Sequence, residues 1–481
     1  MAPQLEQVIK QTNPSRRDLA RLVVTLSIPT ILAELSAVVM QYIDAGMVGS
    51  LGANASAAVG LVASSTWLMG GLCTGAAAGF SVQVAQLVGA GRLAAARNVF
   101  RQSLVVLAAF SVLLAAAGCA VSPHLPVLMG GEPNVCPDAT SFLFIYALAI
   151  PAVQVVRLCT SMLQCTGDMR TPSRLNILMC LLDVVFNFFF IFPTRTVTLP
   201  LVGWALTVPG AGWGVAGAAA GTVAAEIVVA LLLLRASTVT SPALALFGAA
   251  QANKPGEPAP SWRLTRQCLG RAVRVAAPLC LERAVMSAAQ ITSTAIVAPL
   301  GTVAVAAHSL AITAESVCYM PGYGVGSAAT TLVGQSLGAN NKPLAKRLGT
   351  FTTVFGMVTM GVTGLAMFFC APWVMSLLTP DAAVQQLGAN VLRIEVLVEP
   401  FFAASIVAMG AMRGAGDTLV PSLMNLGSMW GVRIPAAALM AGQFGLYGVW
   451  IAMTFELALR GVIFLVRLHR GTWLNRESMV A

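Results

Sequence analysis

The chain has 481 residues, of which 57% are hydrophobic and 10% charged, and its mean hydropathy is +0.81. That balance excludes soluble enzymes and soluble binding modules, because no chain of this size stays in water with so little polar surface; its solvent is lipid. The net charge of +10 would point to nucleic acid in a soluble protein, but the placement of the basic residues argues otherwise.

Stretches apolar enough to cross a hydrocarbon core of about 30 Å, roughly 20 residues each, run over 22–48, 55–88, 99–121, 139–165, 175–192, 214–234, 275–299, 304–334, 348–371, 384–412, 419–441 and 444–466. They predict an all-α polytopic membrane protein of twelve transmembrane helices; open strands cannot span a bilayer, and the short alternating segments of an outer-membrane barrel are missing from the sequence. Lys10, Arg16, Arg17 and Arg21 precede span one; Arg92, Arg97 and Arg101 follow span two; Arg170 and Arg174 follow span four. Arg235, Lys254, Arg263, Arg266, Arg271 and Arg274 cluster midway, Lys342, Lys346 and Arg347 follow span eight, Arg413 follows span ten, and Arg467, Arg470 and Arg476 close the chain. Alternate loops carry little beyond Arg195. This positive-inside pattern predicts a multi-pass protein of the cytoplasmic (inner) membrane with both termini cytoplasmic, and it makes anionic lipid, not nucleic acid, the partner of the charge.

No cleavable signal is expected, since residues 1–20 are polar and interrupted by Pro3 and Pro14. Ten cysteines lie mostly inside spans and read as small packing residues. Cys119 and Cys136 flank one outward loop, where a disulfide is a minor alternative.

Self-comparison reveals a repeat. At an offset of 249, Ser27–Arg97 aligns without gaps on Ala276–Lys346 with 16 identities in 71 pairs, among them Pro29/Pro278, Gln41/Gln290, Gln86/Gln335 and Gly89/Gly338. The same offset matches Gly167-Asp168 to Gly416-Asp417 and Asn176 to Asn425; after extra residues at Pro193–Gly212, Gly214 and Gly217 match Gly445 and Gly448 at offset 231. Each repeat holds six spans, an even number, so the two lobes are parallel and related by a pseudo-two-fold axis along the membrane normal. The expected organisation is a cytoplasmic N-terminal segment 1–21, an N-terminal six-helix lobe 22–235, a cytoplasmic linker 236–270, a C-terminal six-helix lobe 271–467 and a cytoplasmic tail 468–481.

A charge at the bilayer centre costs at least about 2.5–3.5 kcal/mol on insertion scales, so acids inside spans are functional candidates. Glu34, Gln41 and Asp44 in span one, at spacings of seven and three, share a face of the helix; Asp183 and Asn187 in span five are i,i+4 neighbours. Carboxylates grouped with amides away from water can exchange a proton near neutral pH or hold Na⁺ through oxygen ligands, so Asp44, Gln41, Asp183 and Asn187 are the candidate ion-coupling set. Asp44 and Asp183 correspond to Ser293 and Val432 in the second repeat, which therefore lacks this constellation. The second lobe has Glu282, Glu315, Glu395 and Glu399. Local pairing of Glu282 with Arg283 and of Glu395 with Arg393 is the bland expectation, and Glu456 with Arg460 reads as an i,i+4 ion pair. Glu282, Met286, Glu315, Met320 and Tyr323 are the candidate second-lobe cavity residues, and Glu34 is a first-helix one; Glu226, Glu395 and Glu399 receive no role. Glycines 70, 71, 75 and 79, and the run Pro321-Gly322-Tyr323-Gly324 with Gly326, permit close helix contact and bending.

These residues resemble the multidrug and toxic compound extrusion (MATE) transporters over about residues 20–470. The resemblance rests on Gln41-x-x-Asp44-x-x-Met47-Val48-Gly49 with Leu51-Gly52, on Ala306-Ala307-His308 with Glu315, on Met320-Pro321-Gly322-Tyr323-Gly324, on Thr331-Leu332-Val333-Gly334-Gln335 and on Met412-Arg413-Gly414-Ala415-Gly416-Asp417-Thr418. It implies rocking alternating access and export of small organic, often cationic, compounds against inward flow of H⁺ or Na⁺. Asp44 matches the family's first-helix acid. In span five the family's Asn-then-acid order is exchanged here to Asp183-then-Asn187; where members carry acids in spans seven and ten, this chain offers Met286 and the uncharged stretch 402–411. A monomer without a cofactor is expected.

Two rivals are weaker. A lipid-linked precursor flippase of the same wider group would show a strongly cationic cavity, whereas Arg157, Arg283, Arg393 and Arg433 are the intraspan arginines here. A membrane-embedded transferase would need a nucleophile, an acid/base pair or a metal cluster; His124, His308 and His469 are far apart and no catalytic spacing occurs, so no catalytic or metal residues are expected.

Overall fold

The computed structural model describes residues 14–198, 205–247, 260–476 and 479. Lys10, Lys254 and the rest of residues 1–13 and 248–259 of the expected terminal segment and linker lie outside the described residues. Helices α1 (Arg16–Gly49), α2 (Ala53–Gly89), α3 (Leu93–Val121), α4 (Cys136–Leu148), α5 (Ile150–Cys165), α6 (Arg170–Ile191) and α7 (Gly214–Arg235) form the first lobe. The second lobe contains α8 (Arg266–Val297), α9 (Thr302–Gly338), α10 (Lys342–Leu378), α11 (Ala382–Glu395), α12 (Glu399–Gly414), α13 (Leu419–Ser428) and α14 (Ile434–Arg470).

Among the described residues, eight helical stretches are each long and apolar enough to cross a membrane, and the bent pair α4 and α5, 50° apart, makes a ninth. Pro151 opens α5 and cannot donate a backbone bond back into α4, which accounts for the bend. The broken pair α11 and α12 and the charge-bearing α8 supply two more crossings, and Leu419–Arg470 divides into two at Gly445, where φ is +58°. Twelve transmembrane helices in two lobes result. The first begins with a capping box: Ser15 Oγ accepts from the Asp18 N–H at 3.2 Å, and the Asp18 carboxylate accepts from the Ser15 N–H at 3.3 Å.

The repeat shows in the backbone as well as in the sequence. Positive φ occurs at Gly52 and Gly301, at Gly167 and Gly416, and at Gly91 and Asn340, each pair 249 residues apart, while Gly214 and Gly445 pair at 231. Asn340 is the non-glycine among them, and asparagine is a residue that tolerates the left-handed region.

The lobes meet chiefly through α2 with α8 and α9, and α1 with α9. At the end of the bundle that carries the termini and most of the basic residues, the last turns of α2 and α9 are continuously buried, whereas their first halves are partly exposed. The seam is therefore most tightly packed at the basic end. Small residues make it tight, as helix association in lipid requires: a Cβ on Gly89 would stand 2.0 Å from the Gln335 carbonyl oxygen, and one on Gly338 would stand 1.9 Å from that of Gln86. Gln86 Nε2 donates to the Gly414 carbonyl at 3.2 Å, and Gln335 Nε2 donates to the Cys165 carbonyl at 2.7 Å. All these residues are repeat mates, so the seam is a pseudo-symmetric latch.

One difference from the sequence reading concerns local structure. The insertion at Pro193–Gly212 forms an antiparallel hairpin of β1 (Pro193–Thr198) and β2 (Ala205–Ala211), with Arg195 opposite Val208. Its β-branched Thr-Arg-Thr-Val-Thr run carried that signal. Cys119 and Cys136 are free thiols, as are the other eight cysteines.

Candidate functional site

In the first lobe, α1 delivers Asp44 near its C-terminal end and α6 delivers Asp183 and Asn187 from one face. The Asn187 amide bridges them, donating to Asp44 Oδ1 at 2.9 Å and to Asp183 Oδ2 at 3.1 Å. Asp183 and Asn187 are fully buried and Asp44 is half-buried. Asp183 Oδ1 and Asn187 Oδ1 face no donor although both are shut off from water, which leaves an oxygen-rich focus able to take a proton or a small cation. Helix α7 closes the back of this group: a Cβ at Gly221 would fall 2.1 Å from Asn187 Oδ1, and Thr222 lies beside Asp183. Sequence reasoning missed Gly221 and Thr222; the glycine run of α7 was its available signal. Gln41 is exposed one turn from Asp44 and does not join the bridge. Glu34 lies further along α1, half-buried, in the field of Arg157 on α5, which also faces the buried Glu226 of α7.

The second lobe has its own acidic focus. Glu315 of α9, Glu395 at the end of α11 and Glu399 at the start of α12 bring carboxylate oxygens within 4.8 Å of one another. All three are buried, and both oxygens of Glu395 and of Glu399 lack a donor. Two charges within 4.8 Å of one another repel by on the order of 3 kcal/mol or more at an effective dielectric near 20, a repulsion that a proton or a cation shared among the three carboxylates would relieve. The break at Val396–Val398 turns the two helices so that both glutamates face Glu315. Arg433 contributes the nearest positive field to Glu315 and Glu395. Tyr319 packs edgewise on Tyr323 and at a tilt on Phe402, with ring centroids 6.1 and 5.7 Å away, and forms an aromatic wall beside the triad. Met320 and Tyr323 are half-buried on the same helix.

Two expected local ion pairs do not form. Glu282 instead accepts from Ser422 Oγ at 2.5 Å and Asn425 Nδ2 at 2.7 Å, tying α8 to α13, while Arg283 lies against Gly71 of the first lobe. Glu395 has no arginine partner, because Arg393 Nε donates to the Phe368 carbonyl at 3.1 Å. Both contacts favour long-range partners on neighbouring helices over the adjacent residue. Met286, one turn beyond Glu282, is half-buried and outside the triad. Glu456 and Arg460 do pair, at 3.1 Å.

The MatE family model matches residues 29–189 and again 278–439, one match per lobe. The chain belongs to the MATE family. Among MATE relatives, the probable multidrug resistance protein NorM of Thermotoga maritima is 26% identical over 472 residues, spanning 96% of this chain and 95% of that protein. The probable NorM of Pseudomonas aeruginosa is 30% identical over 460 residues, spanning 93% and 88%. A transporter of the wider MOP superfamily from Pyrococcus furiosus, described as having a binding pocket of reversed polarity, superposes with a TM-score of 0.85 at 18% identity over 99% of this chain and 100% of that one. A multidrug resistance MATE transporter in an outward-facing conformation superposes at 0.83 with 19% identity, covering 98% of each chain. As a MATE protein, the chain is a multi-pass membrane transporter and not an enzyme.

Proposed function

We propose that this transporter is a secondary active antiporter that exports small organic, often cationic, compounds from the cytoplasm in exchange for H⁺ or Na⁺. The observation that carries the reading is the Asp44–Asn187–Asp183 bridge, which joins two helices of one lobe through the Asn187 amide and leaves Asp183 Oδ1 and Asn187 Oδ1 buried beside it without a donor among the described residues. Loading it with a proton or Na⁺ removes the repulsion between the two carboxylates and changes how α1 sits on α6. Helix α1 also crosses to the second lobe, where Tyr42 donates its hydroxyl to the Thr313 carbonyl at 2.7 Å. A change in α1 is thus felt across the seam, and the seam is the element with two arrangements that alternating access needs.

The basic flanks support placing the tight end of the bundle in the cytoplasm of a cell with an inner membrane. With that orientation, the structure corresponds to a state closed at its cytoplasmic end. The Glu315–Glu395–Glu399 triad is the second candidate for the coupling ion, and its three-carboxylate donor set suits Na⁺ as well as a shared proton. Substrate cations would be drawn by the acids, with the half-buried methionines and tyrosines giving adaptable contacts.

The test is efflux of ethidium or norfloxacin from proteoliposomes under an imposed pH gradient and, separately, an imposed Na⁺ gradient. Antiport predicts that at least one gradient drives efflux and that dissipating it stops the movement. Failure of both gradients with both compounds contradicts the reading.

A further inference from the structure

We infer that the C-terminal segment is a strap that bolts the two lobes together at the cytoplasmic end and must be released for the transporter to open inward. The sidedness rests on the orientation proposed above; the contacts themselves do not.

Its root is in the second lobe. The indole of Trp473 is fully buried and donates to the Leu468 carbonyl at 3.2 Å. Three residues on, the Arg476 guanidinium grips Asp417 Oδ1 through Nε at 3.2 Å and Nη2 at 3.0 Å, and Arg467 holds the other oxygen of the same carboxylate. Asp417 is buried. Its repeat mate Asp168 does something different, accepting from the Thr171 N–H at 3.0 Å to start its own helix. The second-lobe copy of the Gly-Asp motif has been recruited to hold the tail.

The tip crosses the seam at Met479. Its N–H donates to Gln86 Oε1 of α2 at 2.8 Å, and its carbonyl accepts from Arg271 Nη1 of α8 at 2.7 Å. One residue's main chain therefore joins the first lobe to the second. The Met479 side chain is buried in a cluster with Ala78 and Val82 of α2 and Val275 and Leu279 of α8, where it fills the groove between the lobes. The latch shows the asymmetry this creates: Gln86 and Gln335 each donate across the seam, and among the described residues the side-chain carbonyl oxygen of Gln86 is satisfied, by Met479, while Gln335 Oε1 is buried without a donor. Parting the lobes at this end has to break the Met479–Gln86 bond and draw the Met479 side chain out of the α2–α8 groove.

Cys165 is a native reporter, because it is buried in the latch and its carbonyl is the acceptor for Gln335. The experiment measures the rate at which a water-soluble maleimide alkylates Cys165 in the full protein in lipid nanodiscs, read by peptide mass spectrometry. Wild type is compared with a deletion of residues 476–481 and with Met479→Ser, which keeps the chain length. The strap predicts a rise in the Cys165 rate of about tenfold in the deletion and a smaller rise in Met479→Ser, with Cys159, buried in the first-lobe core, unchanged. An unchanged Cys165 rate in both variants overturns the proposal. A parallel rise at Cys159 also overturns it, since the tail would then be supporting the fold and not the gate. Because labelling needs no transport, either result is independent of whether drug antiport is observed.

Discussion

Adding one methyl group at the latch should cripple transport. A Cβ at Gly338 would stand 1.9 Å from the Gln86 carbonyl oxygen, and one at Gly89 would stand 2.0 Å from that of Gln335. A carbon and an oxygen need roughly 3.3 Å, so either alanine drives α2 and α9 apart by more than about 1 Å. Backbone on both sides leaves no side chain to move aside, and overpacking of this kind costs about 1–3 kcal/mol. The cross-seam bonds of Gln86 at 3.2 Å and Gln335 at 2.7 Å are stretched at the same time, each worth about 1 kcal/mol. The sum, on the order of 3–5 kcal/mol against the closed arrangement, shifts its population relative to the open one by about a hundredfold or more. Gly270→Ala is the control, because its added Cβ meets nothing within 4 Å. The assay is initial ethidium efflux in proteoliposomes, with thermal unfolding to confirm that each variant is folded. Gly89→Ala and Gly338→Ala are expected to fall at least about tenfold below Gly270→Ala. Efflux at the control rate from both would refute the latch.

Asn187→Leu keeps the volume but removes the donor shared by Asp44 and Asp183; gradient-driven efflux is expected to fall by about tenfold or more, measured in the same vesicles. Glu282→Leu leaves the Ser422 and Asn425 donors unanswered and should destabilise the protein by about 2 kcal/mol in a thermal or denaturant titration, with Glu282→Gln losing less. Glu399→Gln removes one charge from the triad and is expected to raise the unfolding temperature, while abolishing any Na⁺-dependent increase in that temperature seen in wild type when NaCl replaces choline chloride. Trp450→Phe deletes the indole donor to His308 Nδ1 at 3.1 Å and should cost about 1 kcal/mol of stability with transport retained.

Much of this was legible in the sequence because periodicity and repetition are one-dimensional signals. Hydrophobic length located the crossings, and the 249-residue offset matched Gln86 to Gln335 and Gly89 to Gly338, but that these mates meet at the seam comes from the packing of α2 against α9. The spacing of Asp183 and Asn187 put both on one helix face, yet their meeting with Asp44 depends on how α1 leans on α6, which spacing does not encode. Glu395 and Glu399 illustrate the limit more sharply. Adjacent Arg393 suggested a local ion pair, but the break at Val396–Val398 re-aims both glutamates toward Glu315 on another helix. Long-range choices of partner, as with Glu282 and Asn425 or Met479 and Gln86, are settled by packing between elements far apart in the chain.

Antiport is reciprocal, and that gives the most direct test of coupling through the first-lobe bridge. Proteoliposomes loaded with ethidium, with no ion gradient imposed, are followed with an internal pH dye and with ²²Na⁺ uptake. An outward drug gradient should drive H⁺ or Na⁺ inward in wild type and drive neither in Asp44→Asn. Drug leaving without ion entry in wild type, or equal ion entry in Asp44→Asn, would contradict the account.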